Sequence, residues 1–230
     1  ETCELCHRYG VPVNMEKAIQ IINLDNVESL DYCTVNDHPF FCTCGVGFDA
    51  HVSEKFALSG KRGPLTYIQN TLVEYLKYRP QKYHIEIDDE VISEEAFLIA
   101  CGNASQYGNN AFIAPKASMH DGLIDVTVIH PFTPLGTAIM SFLLFTRHLD
   151  QDINITTYRV PELVIRRSKP GVMHIDGDPI MMQANLHIKC HTGGIKMLLH
   201  ITDTIEKSFL SSLEDYFWNF VNTVRDELKI

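Results

Sequence analysis

Between Ile155 and Ile201 the chain breaks into short apolar-rich runs, divided by turn signals at about ten-residue spacing. The runs are Ile155–Val160, Leu163–Arg167, Val172–Ile175, Ile180–Cys190 and Ile195–Ile201. The breaks are Pro161, Lys169-Pro170-Gly171, Gly177 and Thr192-Gly193-Gly194. Runs this short cannot hide an apolar face within a helix bundle. They must pair, and the pattern predicts an antiparallel sandwich or barrel.

The same grammar extends upstream. Tyr32–Val35 and Pro39–Val46 read as two strands joined as a hairpin by Asn36-Asp37-His38-Pro39. Tyr83, Ile85 and Ile87 alternate ahead of a turn at Asp88-Asp89-Glu90, and Phe97–Cys101 is a continuous apolar run typical of a buried strand. Gly102–Asn110 is a Gly/Asn-rich loop, and Ile124–Ile129 alternates again. Helices are interspersed. Asn14 caps a short one over Met15–Ile22, with Ile19 and Ile22 at helical spacing. Pro64 opens another, with Leu65, Ile68, Leu72 and Leu76 on one face, which Pro80 ends. Thr133-Pro134 opens a third by cap and first-turn proline. This helix, Leu135–Phe145, is apolar nearly all round and too short to span a bilayer. It reads either as a buried core helix or as one facing lipid or lining an acyl pocket. A stripe from Ile205 to Leu228 marks a C-terminal amphipathic helix, suited to packing on the sandwich or pairing with a second copy as a homodimer. The fold class expected is mainly β with several helices, an α+β antiparallel sandwich.

Composition removes whole classes. With 19 basic against 29 acidic side chains the net charge is -10, and no Lys/Arg run exceeds two, which argues against nucleic-acid binding. No apolar run approaches the ~18 residues of a spanning helix. Glu1-Thr2-Cys3-Glu4 resembles no signal peptide, and the seven cysteines suggest a reducing, cytoplasmic setting. Cys3-Glu4-Leu5-Cys6-His7 fits a haem-attachment pattern, or half a zinc site with Cys42 and Cys44. Neither has support elsewhere: export is not indicated, and C-x-C at 42–44 is too tight for a zinc pair. No dinucleotide fingerprint, P-loop, G-x-S-x-G or H-E-x-x-H occurs.

Three Gly/Asp clusters remain. They are Gly45-Val46-Gly47-Phe48-Asp49-Ala50, then Gly102-Asn103 through Tyr107-Gly108 to Asp121-Gly122-Leu123, then Ile175-Asp176-Gly177-Asp178-Pro179. Each alone reads as a tight turn, where Asp and Gly are expected. Together, in this order and spacing, they resemble the C-terminal part of the diacylglycerol kinase catalytic family, which includes bacterial lipid kinases, sphingosine kinases and ceramide kinases. The resemblance covers roughly residues 5–200. It extends to Tyr9-Gly10-Val11-Pro12 through Ile22, which looks like the helix after the family's nucleotide loop, and to Lys61-Arg62-Gly63 with Tyr67.

The resemblance implies a lipid kinase that moves the γ-phosphate of ATP to a lipid hydroxyl of diacylglycerol or sphingoid type. An N-terminal α/β domain of that family carries GGDGT and holds ATP. No GGDGT occurs here, so the chain is expected to be inactive alone. On this reading residues 1–24 are a helical segment continuing from the nucleotide domain, 25–201 the sandwich and 202–230 the C-terminal helix. The resemblance also implies a structural Mg²⁺ held by the Asp121 carboxylate and the carbonyls of Ser118 and Leu123. Such oxygen donors suit magnesium. Asp178 falls where the family usually has a Glu that accepts the lipid hydroxyl proton, and a carboxylate one methylene shorter remains adequate as base. Asp49 and Asn103 would line the cleft facing the nucleotide. Membrane contact would be peripheral and apolar rather than polybasic. The alternative is a non-catalytic lipid- or partner-binding module.

Overall fold

The computed structural model describes residues 14–23, 26–59, 74–75, 77–108 and 111–198. Its elements are α1 (Met15–Asn23), β1 (Val27–Val35), β2 (His38–Phe40), β3 (Thr43–Gly47), α2 (Phe48–Ser59), β4 (Gln81–Ile87), β5 (Glu90–Ala96), β6 (Leu98–Gly102), β7 (Ile124–Ile129), α3 (Pro134–Phe145), β8 (Ile155–Val160), β9 (Glu162–Arg167), β10 (Gly171–Ile175), β11 (Asp178–Met182) and β12 (Asn185–Leu198). They form two six-stranded sheets, ordered β2-β1-β12-β9-β4-β5 and β11-β10-β3-β6-β7-β8. Every strand pairing is antiparallel.

The main core lies between the sheets. Val35, Phe40, Tyr83, Ile85, Leu163, Ile165, Leu186 and Ile188 from the first sheet meet Val46, Ile99, Ile124, Val126, Val128 and Met173 from the second. A second core covers the outer face of the second sheet, where Phe48 and Val52 of α2 and Met140 of α3 pack on Leu98, Ala100 and Ile129. The central strands of the second sheet are therefore buried on both sides, and all residues of β6 and β7 are buried. That explains why β7 is not half-polar, as its alternation suggested: Thr127, on the helix-facing side, is satisfied by donating to the Ile113 carbonyl at 2.9 Å.

Two boundaries differ from the sequence reading. The stretch Pro39–Val46 is two strands, β2 and β3, which belong to different sheets. The chain changes sheet at Phe41–Cys42, and side chains far along the sequence hold this crossover. The expected break at Thr192-Gly193-Gly194 does not end a strand. Ile180–Cys190 and Ile195–Ile201 regroup as β11 and the long β12, parted after Met182. Gly193 (φ +59°) sits where the β1–β12 register shifts between Leu30 and Tyr32, so the glycines make a bulge. Finally, α3 is not wholly buried. Met140 is covered, but Ile139 and Phe142 are 56% and 51% exposed.

Other expectations stand. Thr133 caps α3 by accepting from Gly136 N at 3.3 Å, with Pro134 in the first turn. Asn14 accepts from Lys17 N at 3.1 Å ahead of α1, although Met15, Ile19 and Ile22 are exposed. The hairpin turns at Asn36-Asp37 and Asp88-Asp89 form as read, with Asn36 and Asp88 at positive φ. Of the helix expected from Pro64, Glu74, Tyr75 and Lys77 are helical; its remaining turns, the Lys61-Arg62-Gly63 and Tyr67 matches, the segment from Cys3 to Pro12 and the C-terminal helix lie outside the described residues. No helix among the described residues is long and apolar enough to cross a membrane.

Candidate acceptor site

The first Gly/Asp cluster is a strand-to-helix turn. Gly47 has φ +106°, and a Cβ there would lie 2.6 Å from the Phe97 carbonyl. A Cβ on Gly45 would lie 2.3 Å from Asp49 Oδ2 and 2.8 Å from His174 Nε2. The G-x-G is thus not a phosphate cradle. One glycine makes the turn, and the other leaves space for an Asp–His pair. Phe48 seats the start of α2 against Phe97, with ring centroids 4.6 Å apart. This places Asp49 in the first helical turn, where the helix dipole favours a carboxylate.

Asp49 draws the other two clusters in. Its Oδ2 accepts from the Tyr107 hydroxyl at 2.8 Å and lies 3.0 Å from His174 Nε2. Its Oδ1 accepts from Ala50 N at 2.7 Å. The Tyr107 and His174 rings meet edge to face at 5.6 Å. His174 is 1% exposed, and its buried Nδ1 has no hydrogen-bond partner among the described residues. Burial, then the charge of Asp49, pushes the nearby Tyr78 hydroxyl up to about 12.

Residue 174 stands opposite Pro179 in the β10–β11 hairpin, with Ile175 opposite Asp178. Between them Asp176 (φ +47°) and Gly177 (φ +90°) form a two-residue turn that suits the twist of paired strands. The two aspartates of this turn have different jobs. Asp176 accepts from the amides of Phe41, Cys42 and Thr43 at 2.9, 2.8 and 3.0 Å, and its own amide donates to the Thr43 carbonyl at 2.8 Å. It clasps the crossover between sheets. Asp178 is exposed, and no hydrogen bond reaches its carboxylate among the described residues.

Asn103 is fully buried on the other side of that crossover. Its Nδ2 donates to the carbonyls of Asp31 and Phe41 at 3.0 and 2.7 Å, and its amide to Cys42 O at 2.9 Å. Its Oδ1 is buried and has no hydrogen-bond partner among the described residues. The amide side of Asn103 is occupied by folding work.

Ser118, Asp121 and Leu123 lie on the loop before β7. Asp121 Oδ1 accepts from Leu123 N at 3.1 Å, and Oδ2 pairs with Arg159, whose Nε reaches Asp125 Oδ2 at 3.2 Å. Burial holds the Asp125 carboxyl above its ordinary range, against the pull of Arg159. One carboxylate with neighbouring carbonyls fits a hard, oxygen-seeking cation in kind. Arg159 already supplies a positive charge to that carboxylate. Among the described residues no group of three His, Cys, Asp or Glu side chains is placed to hold a metal. Cys44 faces the sandwich interior and Cys42 is half-buried, while Cys3, Cys6 and His7 lie outside the described residues.

Sequence reasoning missed Asp31. It is 1% exposed and accepts from Gly122 N and Gly193 N, each at 2.7 Å, while its amide donates to Met119 O at 2.7 Å. It fixes the Asp121 loop to the β12 bulge. The available signal was an acidic residue inside the apolar run Leu30–Val35. His174 and Tyr107 were quoted within or beside motifs but given no role.

Fold and site together define a two-sheet sandwich with a carboxylate-bearing surface where α2, the loop after β6 and the β10–β11 hairpin meet. The chain belongs to the YegS C-terminal NAD kinase beta sandwich-like domain family, whose model matches residues 42–198. It is 26% identical over 184 residues to the probable lipid kinase YegS of Escherichia coli, covering 78% of this chain and 60% of that protein. It is 24% identical over 199 residues to the probable lipid kinase YegS-like of Stenotrophomonas maltophilia, covering 83% and 63%. A Synechocystis protein of uncharacterized role is 29% identical over 189 residues, covering 79% and 43%. The chain therefore spans between 43% and 63% of the length of these curated relatives. A solved diacylglycerol kinase structure from Bacillus anthracis superposes with TM-score 0.63 at 17% identity, over 85% of this chain and 62% of that one. This agrees with the family resemblance drawn from the three clusters.

Proposed function

We propose that this chain is the acceptor half of an ATP- and Mg²⁺-dependent lipid kinase, with Asp178 taking the proton from the lipid hydroxyl. The observation that carries the reading is the convergence of three distant clusters: Asp49, Tyr107 and His174 touch one another, and the hairpin bearing His174 presents Asp178 to solvent. The family membership supports it. Asp178 is free of backbone duties, unlike Asp176, so its Oδ atoms remain available within hydrogen-bond reach of a hydroxyl. As the hydroxyl oxygen bonds to the γ-phosphorus of ATP, the bond from that phosphorus to the β-phosphate oxygen breaks and ADP leaves, while the hydroxyl proton passes to Asp178. Asp49 is a fixed carboxylate held by Tyr107 and His174, and the Asn103 Oδ1 atom remains for a polar contact.

A magnesium ion at Asp121, Ser118 O and Leu123 O would stabilise the loop before β7 rather than take part in transfer. The diacylglycerol or sphingoid class of acceptor is drawn from the family resemblance. Peripheral bilayer contact would use the exposed Ile139 and Phe142 of α3.

The test is phosphate transfer from labelled ATP to diacylglycerol or sphingosine in mixed vesicles, using the full-length protein that contains this chain. Asp178→Asn is expected to lower kcat by about 10²-fold or more with the fold intact. Unchanged turnover removes Asp178 as base. A second reading, a non-catalytic lipid-binding module, draws on the exposed apolar residues of α3. It predicts vesicle binding without transfer.

A further inference from the structure

Two cysteine pairs stand face to face across strands: Cys33 opposite Cys190 on β1–β12, and Cys44 opposite Cys101 on β3–β6. All four point into the core between the sheets and all are free thiols. We propose that Cys33 and Cys190 form a dithiol modification site, oxidised to a cross-strand disulfide by a hydroperoxide.

Directly opposed residues in an antiparallel pair have Cα atoms about 4.5–5.5 Å apart. A disulfide needs about 4.4–6.8 Å. The bond can close without moving the strands. Exposure separates the two pairs. Cys33, Cys44 and Cys101 are 0% exposed, whereas Cys190 is 8% exposed. The two thiols of this pair interact across the strands. This interaction holds Cys190 below the ordinary thiol range and pushes Cys33 above it. Burial pushes Cys44 up as well. The less buried cysteine of the pair thus has a fully buried resolving partner directly opposite it.

The chemistry closes with one peroxide. The Cys190 thiolate attacks a peroxide oxygen, the O–O bond breaks, and hydroxide leaves to become water. Cys190 is then a sulfenic acid. The Cys33 sulfur attacks the Cys190 sulfur, the S–O bond breaks, and the oxygen leaves as a second water with the Cys33 proton. Two thiols lose two electrons, and hydrogen peroxide gains them.

The experiment is peptide mapping of the purified full-length protein after hydrogen peroxide, with thiols alkylated on unfolding. A peptide joining Cys33 to Cys190 is expected, lighter by two hydrogens than its two halves, with Cys44 and Cys101 alkylated, and dithiothreitol should reverse it. In Cys33→Ser the reaction should stall at sulfenic acid, trapped by dimedone at Cys190 and not trapped in the parent. The proposal is overturned if the parent yields Cys190 as thiol, sulfinic or sulfonic acid with no link to Cys33. A link from Cys33 to Cys44 or Cys101 overturns it equally. The parent map decides the matter even where Cys33→Ser does not fold.

Discussion

Single carboxylates in this domain do unlike work, and their surroundings say which. Buried Asp31 is spent on two backbone amides, those of Gly122 and Gly193. Asp31→Ala leaves both unpaired and should cost about 3 kcal/mol in urea unfolding. Asp31→Asn keeps one accepting oxygen and should cost less. Asp125 is the opposite case, because burial raises its pKa in the fold. The folded state then binds its proton more tightly than the unfolded chain does. Stability from this group is present below the unfolded carboxylate range, about pH 4, and falls as pH rises through the raised folded value. Asp125→Asn, which still offers an oxygen to Arg159, should raise the melting midpoint at pH 7 and change little near pH 3. A parent-like midpoint at pH 7 would contradict this.

Elements were legible where local rules decide them. Asn36 and Asp88 take positive φ in their hairpins, and Thr133-Pro134 starts α3 as its sequence says. What escaped was set by residues far away. Nothing local in Phe40–Thr43 says that the chain changes sheets. The amides of Phe41, Cys42 and Thr43 bond Asp176, more than 130 positions later, and Asn103 holds the same bend from the other side. Likewise Gly193 reads as a strand end until Asp31 is known to accept its amide. The candidate site was half legible. Asp49 and Asp178 stood out by motif, but that His174 and Tyr107 complete the cluster around Asp49 depends on packing. The α3 helix divides similarly, since its composition could not say which face is covered. Ile139→Ser with Phe142→Ser should leave the melting midpoint nearly unchanged, because both side chains are exposed, and should weaken sedimentation with lipid vesicles. Undiminished vesicle binding would place any bilayer contact elsewhere.

At the scale of the molecule, the negative balance of -10 sets the expected response to cations. Magnesium at the Asp121 loop should raise the melting midpoint by mass action, and Asp121→Ala should abolish the rise. A rise that survives in Asp121→Ala would reflect general charge screening. The connectivity carries a last consequence. The first sheet seats its last described strand between its first and its ninth, with Val27 opposite Leu198. Nearly the whole described chain must be made before β1 gains its main neighbour. Loop closure over such a span is slow, and until it happens β1 and β9 present open edges. During synthesis on the ribosome the domain must therefore wait, unfinished, for β12. A chain stopped before Asn185 would have two unpaired edges and would tend to stick to other copies of itself rather than fold.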